Sequence, residues 1–257
     1  MRSKIFIVII VTVFCLVGGL MAVGPQVRSL PPMPEALTAL SSDETVAYSE
    51  VVLQGSFIDS RYDLFVPAGS NPTKGFIIYP GGLVDPWAYA PLARDIAAKG
   101  FLTIIVHMPF DLALFGMERA GLLMPEFESI TAWVVGGHSL GGVAACGYAQ
   151  DYADKIRGVV LWASYPSETF RIEDKDLAVL SIYGTEDGLT TLDKIEISRQ
   201  HLPEATRFVA IKGGNHTQFG WYGVNGAFQK GDNKAAISHE KQHDQIVKET
   251  ASFLEGL

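Results

Sequence analysis

The chain has 257 residues, 48% of them hydrophobic, which suffices for one sizeable core and fits a single α/β domain. Its formal net charge is −8, with no basic block or stripe, and this argues against nucleic acid as a partner. The two cysteines, Cys15 and Cys146, have no His or second Cys at metal-ligand spacing, so they read as small buried hydrophobes rather than ligands.

At the N-terminus, Arg2 and Lys4 precede an uncharged run from Ile5 to Val23. As a helix this run spans about 28 Å, close to the hydrocarbon thickness of a bilayer. It is apolar on every face, unlike a helix that covers a core with one stripe. The exit, Leu20-Met21-Ala22-Val23-Gly24-Pro25, is a poor cleavage site, so residues 5–23 are expected to be a retained anchor rather than a cleaved signal peptide of a secreted protein. The positive charges assign residues 1–4 to the cytoplasm and the domain to the outside. Residues 24–44 carry Pro25, Pro31, Pro32 and Pro34 and read as an extended linker, which leaves 45–257 for the folded domain.

Within that domain, Val46–Leu53 and Ser56–Val66 read as two antiparallel strands joined near Gly55. Gly75–Tyr79 is a short apolar strand ending in Pro80-Gly81-Gly82. A helix follows over Pro86–Lys99, closed by Gly100. Phe101–His107 is a buried strand, Glu118–Glu128 a short helix, and Thr131–Val135 a strand that leads into Gly137-His138-Ser139-Leu140-Gly141. Leu140–Asp151 is the next helix. Gly158–Ala163 and Leu177–Tyr183 are further buried strands, Leu192–His201 a helix, Arg207–Ile211 a strand and Ser238–Leu254 the final helix. Strands that alternate with helices, and that are apolar throughout, predict a mostly parallel, doubly wound sheet covered on both faces.

The run around Ser139 has the form of a nucleophile elbow, in which a serine sits at a strained strand-to-helix turn and small residues two before and two after let the turn close. Gly137 and Gly141 supply those residues. A serine hydroxyl is a weak nucleophile until a base takes its proton and an acid orients that base. In this arrangement the acid and then the histidine follow the serine in the chain. The loop Gly184-Thr185-Glu186-Asp187-Gly188 offers Asp187, with Glu186 as alternative, and the loop Lys212-Gly213-Gly214-Asn215-His216 offers His216. The other histidines fit less well. His138 is expected to point away from the site, His107 ends an earlier strand, and His201 precedes the last strand. His239 and His243, at i and i+4 on the last helix, read as solvated rather than metal-binding. An oxyanion needs preorganised N–H donors. Leu140 is one candidate, and the second is Gly82 or Leu83 in the glycine loop.

These motifs together resemble the α/β-hydrolase superfamily. The stretch His216-Thr217-Gln218-Phe219-Gly220-Trp221-Tyr222-Gly223 and the run from Gly231-Asp232 to Ser238-His239-Glu240 look like α/β-hydrolase fold family 5. The resemblance covers roughly residues 46 to 257 and implies an α/β-hydrolase fold. One departure is Pro80, where many relatives have a histidine before the oxyanion glycines. Only about a dozen residues separate Ala163 from Leu177, too few for the cap domain that many members insert there. A serine nucleophile argues against epoxide hydrolase and haloalkane dehalogenase chemistry. The resemblance implies a carboxylesterase-like serine hydrolase acting on a small ester, or a thioester, without metal or cofactor. The same triad serves an acyltransferase, and a non-catalytic binding protein of this fold is the other class. The glycine-rich segment from Thr217 to Ala236 is long for a loop. Phe219, Trp221 and Tyr222, with Phe228, are expected to form one wall of the substrate pocket.

Overall fold

The structure is a computed structural model that describes residues 29–53, 60–223 and 229–257. Its strands are β1 (Val46–Leu53), β2 (Ser60–Pro67), β3 (Lys74–Tyr79), β4 (Leu102–Val106), β5 (Ala132–His138), β6 (Gly158–Trp162), β7 (Ala178–Gly184) and β8 (Arg207–Ile211). They form one sheet in the order β1-β2-β4-β3-β5-β6-β7-β8. The β1–β2 and β2–β4 pairs are antiparallel and the other pairs parallel. The helices are α1 (Pro34–Thr38), α2 (Ala90–Ala97), α3 (Arg119–Leu123), α4 (Leu140–Asp151), α5 (Leu192–Ser198) and α6 (His239–Glu255). This is the expected doubly wound sheet flanked by helices, with no separate cap among the described residues.

Alternation along the strands explains the two faces. Phe76, Ile78, Val134, Val160, Trp162 and Ile182 point to one side and pack with α2 and α6. Ile77, Tyr79, Val135, Val159 and Leu161 point to the other and pack with α4 and the β4–β5 connection. Both sides are therefore buried, which is why these strands carry no polar alternation. Trp162 is fully buried, stacks edge-on against Phe76 at 5.5 Å, and donates its indole N–H to Thr250 Oγ1 at 3.1 Å.

Several boundaries differ from the sequence reading. The segment 86–99 divides into a 3-10 turn, Pro86–Tyr89, and α2, because Pro91 is tolerated only in the first turn of a helix. The helix expected over 118–128 is shortened to α3 and a 3-10 turn, Met124–Glu126, because Pro125 has no N–H to continue the ladder. The linker expected over 24–44 also needs correction. From Ser29 onward it is docked on the domain: Leu30 pairs with Val84, Pro32 with Tyr222, and Ala36 of α1 is fully buried. The prolines fit this equally well, since they favour extended chain and the first turn of α1. Residues 5–23, Cys15 and Phe228 lie outside the described residues.

The chain runs from β3 outward to β4 and then returns to β5 on the other side of β3, so the switch point lies between β3 and β5. Ligands of such sheets bind outside the carboxyl ends of the strands at that point. The glycine loop after β3 and Ser139 after β5 flank it.

Candidate active site

Ser139 has φ 51° and ψ −119°, a conformation a side-chain-bearing residue rarely adopts. Such a backbone costs on the order of 1–3 kcal/mol and persists only where its surroundings hold it. The Ser139 N–H donates to Trp162 O at 3.0 Å, and its carbonyl accepts from Gly142 N at 3.1 Å and from Ser164 Oγ at 2.6 Å. Gly137 and Gly141 are needed for the close approach of β3. A Cβ on Gly141 would lie 2.0 Å from Tyr79 O, and one on Gly137 2.3 Å from the same atom. The elbow is thus pinned from β3 and β6 together.

His216 and Asp187 meet across the ends of β7 and β8. His216 Nδ1 lies 2.9 Å from Asp187 Oδ2, and both side chains are buried. Asp187 Oδ1 accepts from Leu189 N at 2.8 Å and Thr190 N at 2.6 Å, so the carboxylate is fixed by its own loop as well as by the imidazole. Glu186 instead stands exposed and accepts from Thr185 Oγ1, so between the two candidate acids only Asp187 contacts His216. His216 Nε2 is buried, with no hydrogen-bond partner among the described residues. An imidazole oriented through Nδ1 and free at Nε2 has the geometry of a general base.

Of the two candidate donors in the glycine loop, Leu83 is excluded. Its N–H is spent on Asp111 O at 2.8 Å, and the residue itself is held at φ 56°. Gly82 N has no partner among the described residues. A Cβ on Gly82 would fall 2.9 Å from Leu140 Cδ2, so the loop passes directly beside the other candidate. The Leu140 N–H is one of the unpaired groups at the start of α4. Gly82 and Leu140 therefore offer two free N–H groups on either side of the switch point.

Three residues beyond the predicted set organise this site. Asp232 binds the loops of both Asp187 and His216: Oδ1 accepts from Gly188 N at 3.1 Å and His216 N at 3.3 Å, and Oδ2 from Thr217 N at 2.8 Å and Thr217 Oγ1 at 2.6 Å. Ser164 holds the elbow carbonyl. Tyr89 takes the Gly81 N–H at 2.9 Å, and its hydroxyl lies 2.8 Å from His138 Nδ1. The sequence shows Asp232 only as part of the Gly231-Asp232 run, and no local pattern marks Tyr89 or Ser164.

His138 also departs from expectation. It does not point away. Its ring lies 4.5 Å from that of His216 and stacks on Phe219 at 5.8 Å. Burial, and then the neighbouring His216, push His138 well below the usual imidazole range and keep it neutral. Because Tyr89 Oη already accepts from Gly81, its own proton is best used on His138 Nδ1, which leaves the His138 proton on Nε2.

The predicted pocket aromatics are corrected too. Phe219, Trp221 and Tyr222 are all buried. Phe219 and Tyr222 belong to the core beneath His216. Trp221 stacks on His239 at 3.9 Å and donates to His243 Nδ1 at 3.1 Å, while His243 Nε2 lies 2.7 Å from Asp95 Oδ2. The aromatics thus support the histidine loop instead of lining a cleft. The same contacts correct the reading of His239 and His243 as solvated. Cys146 is buried in α4, and burial raises its thiol pKa.

A family model described as an alpha/beta hydrolase family matches residues 75–244, more than half of the chain. The chain belongs to the α/β-hydrolase family. Solved α/β-hydrolase structures share its fold at low identity. A dienelactone hydrolase from Anabaena variabilis ATCC 29413 superposes with TM-score 0.64 at 15% identity, covering 82% of this chain and 98% of that one. A predicted CIB-like hydrolase from Thermoplasma acidophilum gives 0.62 at 13% identity, covering 82% and 100%. Est1E from Butyrivibrio proteoclasticus gives 0.60 at 14% identity, covering 80% and 99%. Among curated proteins none matches in sequence.

Proposed function

We propose that this α/β-hydrolase cleaves a carboxylic ester, or a thioester, through an acyl-enzyme on Ser139, and that residues 5–23 anchor it in a membrane with the domain outside the cytoplasm. The observation that carries the hydrolase reading is the buried Asp187–His216 pair, with Nε2 unpartnered at the same sheet edge as the strained Ser139. Ser139 Oγ attacks the carbonyl carbon while His216 Nε2 takes its proton. Asp187 holds the Nδ1–H and stabilises the imidazolium. The Leu140 and Gly82 N–H groups receive the oxyanion. The imidazolium returns its proton to the leaving alcohol or thiol, and water activated by His216 then releases the acid. The esterases among the structural neighbours fit this reading. A fluorophosphonate probe tests it: the wild type is expected to label, and Ser139→Ala to lose labelling and lose at least about three orders of magnitude in kcat on p-nitrophenyl esters. A folded wild type that fails to label would overturn it. Protease protection of intact cells checks the orientation, with residues 29–257 expected to be digestible from outside.

A further inference from the structure

The chain enters the folded domain at the rim of the active site. Leu30 N donates to Leu83 O at 2.8 Å, and its carbonyl accepts from Asp85 N at 3.0 Å, so Leu30 brackets the glycine loop. Ser29 Oγ donates to the Asp111 carboxylate. Only six steps of chain separate Val23, the last residue of the apolar run, from Ser29. Fully extended, they reach about 20 Å. The short tether therefore keeps this rim close to any bilayer that holds residues 5–23.

The same rim carries exposed aromatic surface. Phe110 is 75% exposed and Phe115 46% exposed, and their rings meet edge-on at 6.0 Å. Phe110 and Asp111 stand consecutively at φ 57° and 53°, in the left-handed region where bulky residues are strained. That turn is held by the Leu83 N–H on Asp111 O and by the Asp111 N–H on Met108 O at 3.1 Å. Next in the chain, Leu112 reaches the site: a Cβ on Gly82 would meet its Cδ2 at 3.7 Å, beside Leu140. A continuous path thus runs from Ser29 through Asp111, Leu112 and Gly82 to Leu140, the neighbour of Ser139. Solvated phenylalanines on a strained turn gain nothing in water, whereas aromatic side chains are stabilised at the boundary between headgroups and acyl chains. The net charge of −8 opposes electrostatic adsorption to anionic lipid, so the contact must be apolar.

From this placement we infer that the mouth of the active site faces the bilayer, with Phe110 and Phe115 dipping into its interface, and that the substrate is an amphiphilic ester drawn from the membrane. The inference rests on the anchor and the serine-hydrolase reading.

The test uses the full chain reconstituted in phosphatidylcholine vesicles, with and without dibrominated acyl chains that quench tryptophan at bilayer depth. Phe110→Trp, and separately Phe115→Trp, are expected to add emission that is lost in the brominated vesicles. Added emission quenched no more than the native tryptophans in both variants would overturn the proposal. In a second arm, Phe110→Asp/Phe115→Asp is expected to lower hydrolysis of vesicle-borne p-nitrophenyl palmitate about tenfold relative to soluble p-nitrophenyl acetate. An equal effect on both esters would count against a membrane-borne substrate. If the wild type hydrolyses neither ester, the serine-hydrolase reading fails, and the quenching arm still decides the orientation of the rim.

Discussion

Asp187 and Glu186 are adjacent acidic residues in one loop, yet only Asp187 touches His216. Asp187→Asn keeps the shape but leaves the wrong hydrogen-bonding pattern at Nδ1, so kcat is expected to fall about 10³- to 10⁴-fold, whereas Glu186→Gln stays within about twofold. Steady-state kinetics on one p-nitrophenyl ester separates the two. Tyr89 stands one step further out, bridging the Gly81 N–H and His138, whose ring lies beside His216. Tyr89→Phe leaves a buried N–H and a buried imidazole nitrogen unsatisfied. It is expected to lower kcat about tenfold with KM little changed. A merely structural role would lower the melting temperature and leave kcat of the folded protein in place. The candidates Ser139, Asp187 and His216 were legible because each follows an apolar strand in a glycine-rich loop, and the structure pairs two of them, Asp187 and His216. Tyr89 was not, because its role is defined by partners on β5 and the β3 loop.

At the scale of elements, strands and helices follow from apolar runs and their glycine and proline boundaries; the strands agree in chain order, while the helices differ at the splits at Pro91 and Pro125, at the 3-10 end Arg199–His201 and at α1 within the expected linker. The loops carry more than those patterns convey. Asp232 ties the acid loop to the histidine loop through four hydrogen bonds to Gly188, His216 and Thr217. Asp232→Ala strands those donors, so it is expected to destabilise the fold by about 2–3 kcal/mol in urea denaturation and to lower kcat, while Asp232→Asn recovers part of both. The aromatic-rich segment after His216 reads from sequence as a pocket wall. Its burial decides for packing, since Phe219 and Tyr222 face the core and Trp221 is held by two histidines of α6.

For the molecule as a whole, His239 bears on its behaviour in acid. Burial, and then His243, push His239 from the ordinary value of 6.5 down to about 4. The unfolded chain therefore takes up a proton near pH 6.5 that the folded protein refuses until about pH 4, so stability is complete above the upper value and declines through this window as pH falls. His138, also depressed, acts in the same direction. The melting temperature is expected to drop between pH 7 and pH 5, and His239→Phe, which keeps the stack on Trp221, to drop less; calorimetry at the two pH values checks this. Packing across the molecule also explains the docked segment 29–44, whose prolines read as linker until Leu30 and Pro32 are seen to pair with the domain. The sequence by itself determined the fold class and offered Ser139, Asp187 and His216 as candidates in chain order, because strand, turn and helix signals are local. Only the tertiary structure decided that Gly82 rather than Leu83 keeps an N–H without a partner among the described residues, that His138 lies beside His216, and that the chain enters beside the candidate-site rim. Each of these depends on which distant segment satisfies or buries a given group, and local pattern carries no record of that.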